Sequence, residues 1–249
     1  MTRKHIVSTY DDELSLLDRL IVEMGGLVEE ALVSALDALV RHDPQAAAEI
    51  IKRDKVIDQY EADIDALAAE MLALRQPMAG DLRIVLAALK MAGNLERMGD
   101  YAKNIAKRTV TLTEVPLLAP ATISLKRMGG MVQKMIMQVL DAYANRDTSL
   151  ADAVILKDQD VDRMHTSLFR EFMELMAAEP EHITACTHLI FIAKDVERIG
   201  DHATNVAEKV HYMLEGNMPQ GKRPKDDQSS SIVVDPVMPE AQPEQEEKP

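Results

Sequence analysis

Apolar residues recur along most of the chain at alternating spacings of three and four. One stripe is Ile84, Ala88, Met91, Leu95, Met98, Ala102 and Ile105; another is Leu189, Ile192, Val196, Ile199, Ala203, Val206 and Val210. A third runs through Ile57, Tyr60, Ile64, Leu67, Met71 and Leu74. That spacing is a narrow packing seam along one side of an α-helix. Capping and breaking residues divide the pattern. Asp43-Pro44 reads as an N-cap and a first helical residue, where the missing proline N–H costs nothing. Pro77 and Pro180 fall between helical stretches, Pro116 and Pro120 bracket a joint, and Asn145-Arg146-Asp147-Thr148-Ser149 carries capping chemistry. The pattern predicts six long helices, over 9–42, 44–75, 78–113, 120–145, 148–178 and 181–215. Short joints make neighbours antiparallel. Residues 8–115 and 118–215 thus each read as an up-down-up three-helix bundle, in an all-α fold.

The halves repeat. Asn94-Leu95-Glu96-Arg97-Met98-Gly99-Asp100-Tyr101-Ala102-Lys103-Asn104-Ile105-Ala106 returns 101 residues later as Asp195-Val196-Glu197-Arg198-Ile199-Gly200-Asp201-His202-Ala203-Thr204-Asn205-Val206-Ala207. At an offset of 104, Gly25-Gly26 matches Gly129-Gly130, Asp43 matches Asp147, and Asp54 and Asp58 match Asp158 and Asp162. A three-residue deletion before the last helix reconciles the offsets. The chain is an internal duplication. Paired glycine inside a helix costs up to about 1 kcal/mol per residue relative to alanine. Its recurrence marks either a close helix approach or an inherited tolerance.

Each copy places Glu, Asp and Asn at four-residue intervals, on one helix face. Glu96, Asp100 and Asn104 lie roughly opposite the seam, as do Glu197, Asp201 and Asn205, so they are expected to face outward. Asp54, Asp58, Glu61 and Asp65 run beside the seam of the second helix. The fifth helix keeps Asp158 and Asp162 but then has His165 and Phe169. Each half thus carries two acidic stripes on neighbouring helices. Like charges four apart destabilise a helix by about 0.2–0.5 kcal/mol per pair. Two kinds of compensation fit. A hard cation such as Mg, Mn or ferric iron suits carboxylate oxygens better than zinc does. Alternatively the stripes are a solvated face neutralised by Lys55, Arg97, Lys103 and Arg198. The Glu-x-x-His spacing of di-iron bundles is missing, with Gly99 and Gly200 in the histidine places. Glycine there clears space beside the carboxylates for an ion, a phosphate-like ligand or another backbone.

Net charge is −14, which argues against nucleic-acid backbone binding and favours cationic or protein partners. Apolar residues make up 47% and aromatics 3%, enough for a core and typical of helices. The single Cys186 excludes a disulfide framework and reads as packing. No apolar run approaches the ~20 residues of a membrane span, and the first twelve residues lack an apolar signal core. There is no Gly-rich phosphate loop. His202 points about 100° away from Asp201 on a helix, with Tyr101 as its counterpart. From Gly216, Pro, Ser, Gln, Glu and Asp dominate, so residues 216–249 are expected to be a disordered acidic tail, a solubilising extension in the simpler reading.

The Glu96-Arg97-Met98-Gly99-Asp100-Tyr101-Ala102 stretch and its copy, with Gln76-Pro77-Met78-Ala79-Gly80-Asp81-Leu82-Arg83, resemble the signature of the PhoU family. The resemblance covers residues 8–215. It implies two similar three-helix bundles in a non-enzymatic cytoplasmic regulator of phosphate homeostasis, commonly a homodimer. Such a protein would couple a phosphate ABC transporter, through its ATPase, to a membrane sensor histidine kinase and its response regulator. It would repress the starvation response when phosphate is plentiful, reaching the membrane only through partners. The resemblance also implies metal clusters on Asp54, Asp58, Glu96 and Asp100, and on Asp158, Asp162, Glu197 and Asp201. Asn104, Asn205 and His165 are further candidates. Iron is the first expectation, with Mg, Mn and Zn open. The alternatives are a carboxylate-bridged metal-dependent enzyme, such as a phosphatase or oxidase, and a metal-binding buffer protein.

Overall fold

Each half turns its first corner in the same way. His42 and Arg146 both adopt the left-handed conformation, with φ 56°, and the following aspartate caps the next helix. Asp43 Oδ1 accepts the backbone N–H groups of Gln45 and Ala46 at 3.0 Å each. Asp147 Oδ1 accepts those of Ser149 and Leu150 at 2.8 and 3.2 Å. Such caps satisfy amides that the first helical turn leaves open. The structure, a computed structural model, describes residues 2–219 and 225–234. Its helices are α1 (Thr2–Arg41), α2 (Pro44–Arg75), α3 (Gly80–Leu112), α4 (Ala119–Asn145), α5 (Thr148–Ala178) and α6 (Ile183–Glu215). Short 3-10 turns follow at Pro180–His182 and Ser229–Ser231. The six predicted helices are all present, and no strand occurs among the described residues.

Helices α1, α2 and α3 pack on one another, as do α4, α5 and α6. The halves meet through α1 against α4 and α3 against α6, which leaves α2 and α5 on the outer flanks. On α1, Leu17, Ile21, Met24, Val28, Leu32 and Leu39 are fully buried at helical spacing. Burying each such side chain contributes about 1.5–3 kcal/mol. Cys186 is buried in this core, and burial pushes its thiol up, as suits a packing residue.

The duplication is visible as a local twofold relation. A Cβ on Gly25 would lie 2.4 Å from Leu140 Cδ2, and one on Gly129 would lie 1.9 Å from Leu36 Cδ1. Leu36 and Leu140 are themselves repeat equivalents, so the two contacts are reciprocal. The first glycine of each pair therefore lets α1 and α4 approach closely. Gly26 and Gly130 have no atom within 4 Å of a built Cβ, so packing does not explain them. Between α3 and α6, the equivalent residues Tyr101 and His202 face each other with ring centroids 5.7 Å apart. His202 is thus an inter-half contact; its Nδ1 lies 2.8 Å from Asn94 Oδ1.

The repeat equivalent of Asn94 is Asp195, nearly buried and 4.0 Å from the Arg108 guanidinium. Burial pushes its carboxyl up to about 6, against the pull of Arg108 and Arg198. A carboxyl raised on folding favours the folded state at low pH and withdraws that support as pH rises through its folded value. Asp195→Asn, which copies Asn94, is therefore expected to gain stability relative to wild type between pH 4 and pH 7. The gain should reach about 1–2 kcal/mol. Urea unfolding at pH 4, 5.5 and 7 checks it; a constant difference across that range would refute it.

Candidate functional site

Helix α3 touches α1, α2 and α6, and helix α6 touches α3, α4 and α5. A seam toward one neighbour therefore does not leave the opposite face to solvent. The expectation that the motif carboxylates Glu96, Asp100, Glu197 and Asp201 face outward is corrected on this point. Asp54 is 5% exposed, Asp158 and Asp162 0%, and Glu197 2%. Glu61, Glu96, Asp100, Asn104 and Asp201 are half-buried, while Asp58 and Asp65 are exposed. The stripes lie in the α2–α3 and α5–α6 crevices.

Gly99 and Gly200 set how close these helices come. A Cβ on Gly99 would meet Ile57 Cδ1 at 3.0 Å and Asp54 Oδ1 at 3.6 Å. One on Gly200 would meet Asp158 Oδ1 at 3.5 Å and Val161 Cγ1 at 3.6 Å. The space cleared beside the carboxylates is thus taken by the neighbouring helix, which brings its own aspartate against the motif.

In the first half that aspartate finds a cation. Lys103 Nζ donates to Asp54 Oδ2 at 2.5 Å and to Asp100 Oδ1 at 2.9 Å. Bonds to these two carboxylates hold the ammonium well above its ordinary range, so it stays charged. Burial pushes Asp54 up, with Lys103 opposing. Burial, then Asp100 and Glu61, push Glu96 up to about 7. The Asp54–Lys103 pair borders a shallow cleft lined by Leu27, Ile50 and Ile57. Of the four basic residues expected to neutralise the stripes, Lys103 enters its cluster, whereas Lys55, Arg97 and Arg198 are exposed.

The second half is completed differently. The repeat equivalent of Lys103 is Thr204, whose hydroxyl donates to the Asp201 carbonyl at 2.7 Å. The cation comes from beyond the bundle. Lys225 Nζ pairs with Asp201 and lies 3.9 Å from Asp158 Oδ2. The next residues follow the crevice. The Asp226 N–H donates to Asp162 Oδ2 at 2.8 Å, and the Gln228 N–H to Thr166 Oγ1 at 3.0 Å. Asp227 meets Lys194 Nζ at 3.2 Å and His165 Nδ1 at 3.3 Å, and Arg163 meets Asp226 at 3.2 Å. Burial opposes ionisation of Asp227. The Ser229 N–H, His165 and Lys194 nonetheless hold its carboxyl far below the usual range. Lys194 also pairs with Glu197 at 2.9 Å. Residues 225–231 are therefore seated on the body, contrary to the expectation of a disordered tail; residues 220–224 and 235–249 lie outside the described residues.

The less certain candidates divide. His165 is buried, its ring pairs with the tail aspartate, and burial lowers its pKa. Asn205 Nδ2 turns to Asn94 Oδ1 on α3, at 3.3 Å. Sequence reasoning missed Lys194, Lys225 and Asp227. The available signal was the lysine of the first motif copy that becomes Thr204 in the second.

Among the described residues, no three His, Cys, Asp or Glu side chains converge closely enough to enclose a metal ion. Yet each crevice holds an ammonium between equivalent aspartates, Asp54 and Asp100 or Asp158 and Asp201. Asp162 Oδ1 and Glu197 Oε2 are buried without a hydrogen-bond partner among those residues. The donors around each ammonium are all carboxylate oxygens, the atoms a hard metal ion takes, so a metal would have to displace the ammonium and draw the carboxylates closer together. Such an ion would neutralise the carboxylates and tie α2 to α3 or α5 to α6.

Fold and site together define a duplicated six-helix protein, with equivalent acidic crevices that each hold a cation. The PhoU domain model matches residues 21–109 and 125–210, and the chain belongs to the PhoU family. It is 42% identical over 232 residues to a Rhizobium meliloti "phosphate-specific transport system accessory protein PhoU homolog", covering 93% of this chain and 98% of that one. A Zymomonas mobilis protein of the same description is 47% identical over 223 residues, 89% and 94% of the two chains. The crystal structure of PhoU from Pseudomonas aeruginosa superposes with a TM-score of 0.81 at 36% identity, over 84% of this chain and all of that one. The phosphate transport system regulatory protein PhoU of Streptococcus pneumoniae gives a TM-score of 0.79 at 32% identity, over 85% and 99%.

Proposed function

We propose that this protein is an accessory regulator of phosphate transport that acts by docking rather than by catalysis. The observation that carries the reading is the PhoU match across both halves, in the company of relatives described as phosphate transport accessory proteins. In the finer reading it is a cytoplasmic homodimer that couples the ATPase of a phosphate ABC transporter to a membrane sensor histidine kinase and its response regulator. It represses the starvation response when phosphate is plentiful. No helix among the described residues is long and apolar enough to cross a membrane, which supports attachment through such partners. Deleting the gene should leave phosphate-responsive transcription switched on in high phosphate, and the tagged chain should co-purify with kinase and transporter ATPase. Unchanged transcription together with recovery of neither partner would sink the reading.

The two crevices are proposed as metal sites, with Asp54, Asp58, Glu96 and Asp100 in one and Asp158, Asp162, Glu197 and Asp201 in the other. The all-oxygen chemistry of both crevices, with Asp162 Oδ1 and Glu197 Oε2 buried without a hydrogen-bond partner among the described residues, supports this reading, and the ammonium in each is what a metal would displace. Elemental analysis should find iron or another hard metal, reduced on one side by Glu96→Ala with Asp100→Ala and on the other by Glu197→Ala with Asp201→Ala. A metal content equal in all three chains would exclude these ligands. Phosphoester turnover that Glu96→Ala abolishes would instead favour the metal-dependent enzyme.

A further inference from the structure

We propose that residues 225–231 form an intramolecular plug, which brings a lysine to Asp158 and Asp201 where the second repeat has Thr204 in place of Lys103, and competes there with a divalent cation. The duplication makes the argument. Asp54 and Asp100 hold Lys103, from the motif helix itself. The second repeat has Thr204 in the place of that lysine, and the equivalents Asp158 and Asp201 hold Lys225 from the tail instead.

The seating is specific in its chemistry. Lysine meets the acidic stripe, while the two aspartates that follow meet basic groups, Asp226 on Arg163 and Asp227 on Lys194 and His165. Two backbone amides add directional bonds, to Asp162 and to Thr166. A tethered segment acts at an effective concentration of order millimolar. A ligand that needs the crevice open binds more weakly in proportion to the open fraction. The first crevice has no such segment to displace among the described residues, so the two sites should respond differently to the same cation. The competition rests on the metal reading above; the seating of the segment does not.

The test is hydrogen exchange with mass spectrometry on the full chain, with Mn2+ as probe. Glu96→Ala with Asp100→Ala is introduced throughout, so that only the second crevice reports. Peptides over 225–231 should be protected. Lys225→Gln with Asp227→Asn should speed their exchange at least tenfold and tighten Mn2+ binding at least tenfold. Added Mn2+ should speed their exchange in the chain that keeps Lys225 and Asp227. Thr204→Lys, which restores the lysine on α6, should release the segment without altering it. Equal exchange with and without the tail substitutions would overturn the plug. Altered exchange with equal Mn2+ affinity would overturn the competition. No Mn2+ binding by either chain, with the exchange difference intact, would overturn the competition and the metal reading together, and support the plug as a purely structural cover.

Discussion

Replacing Gly25 and Gly129 by valine is expected to destabilise the fold by about 1–3 kcal/mol at each position, the usual cost of overfilling a packed core. The built Cβ positions collide with Leu140 and Leu36, which are 8% and 3% exposed. Neither leucine can swing into solvent without leaving the α1–α4 interface. Because the two contacts are reciprocal, the double variant loads the same interface twice, and its cost should depart from the sum of the single ones. Gly26→Ala and Gly130→Ala provide the contrast. Nothing lies within 4 Å of either added carbon, so both should stabilise by about 0.5–1 kcal/mol through helix propensity. Urea unfolding followed by helical circular dichroism measures all of these. If the valine and alanine variants moved in the same direction, the interface argument would be wrong.

Lys103→Met is expected to cost about 2–3 kcal/mol. Removing one partner of a buried ion pair commonly costs 3–5 kcal/mol, because the other charge is left uncompensated. Lys103 is 24% exposed and Asp54 5%, so water relieves part of that penalty. The sign of the pH effect follows from Asp54. Burial already raises its carboxyl with Lys103 opposing, and without Lys103 nothing comparable opposes it. A raised carboxyl withdraws stability as pH rises, so the variant's deficit should be larger at pH 8 than at pH 5. Adding Asp54→Asn should recover part of the loss. A deficit independent of pH, or no recovery in the double variant, would show that the aspartate is not the group left exposed to burial.

The helices were legible because their causes are local. Asp43-Pro44 and Asp147-Thr148 announce their caps within four residues, and the seams need only three-and-four spacing. The repeat was legible because two stretches could be compared directly. Burial of the carboxylates was not. A heptad seam describes one neighbour, whereas α3 and α6 each have three, and the α2 and α5 packing that covers Asp54, Asp158 and Asp162 is set by which helices share a bundle. His202 shows the same limit, since its angle from Asp201 follows from helix geometry but its contact with Tyr101 requires the other half.

What the chain's own order of residues determined is therefore the set of helices, their duplication, and which side chains share a face. Local dihedral preferences and capping bonds act within a few residues, so they can be read without knowing the fold. Tertiary structure alone decided which faces are covered, that Gly25 and Gly129 bear the α1–α4 approach while Gly26 and Gly130 do not, and that Lys225 stands where the second motif lacks its lysine. Those outcomes depend on residues tens of positions apart meeting in a crevice, where burial changes what each charge costs and which cation can offset it.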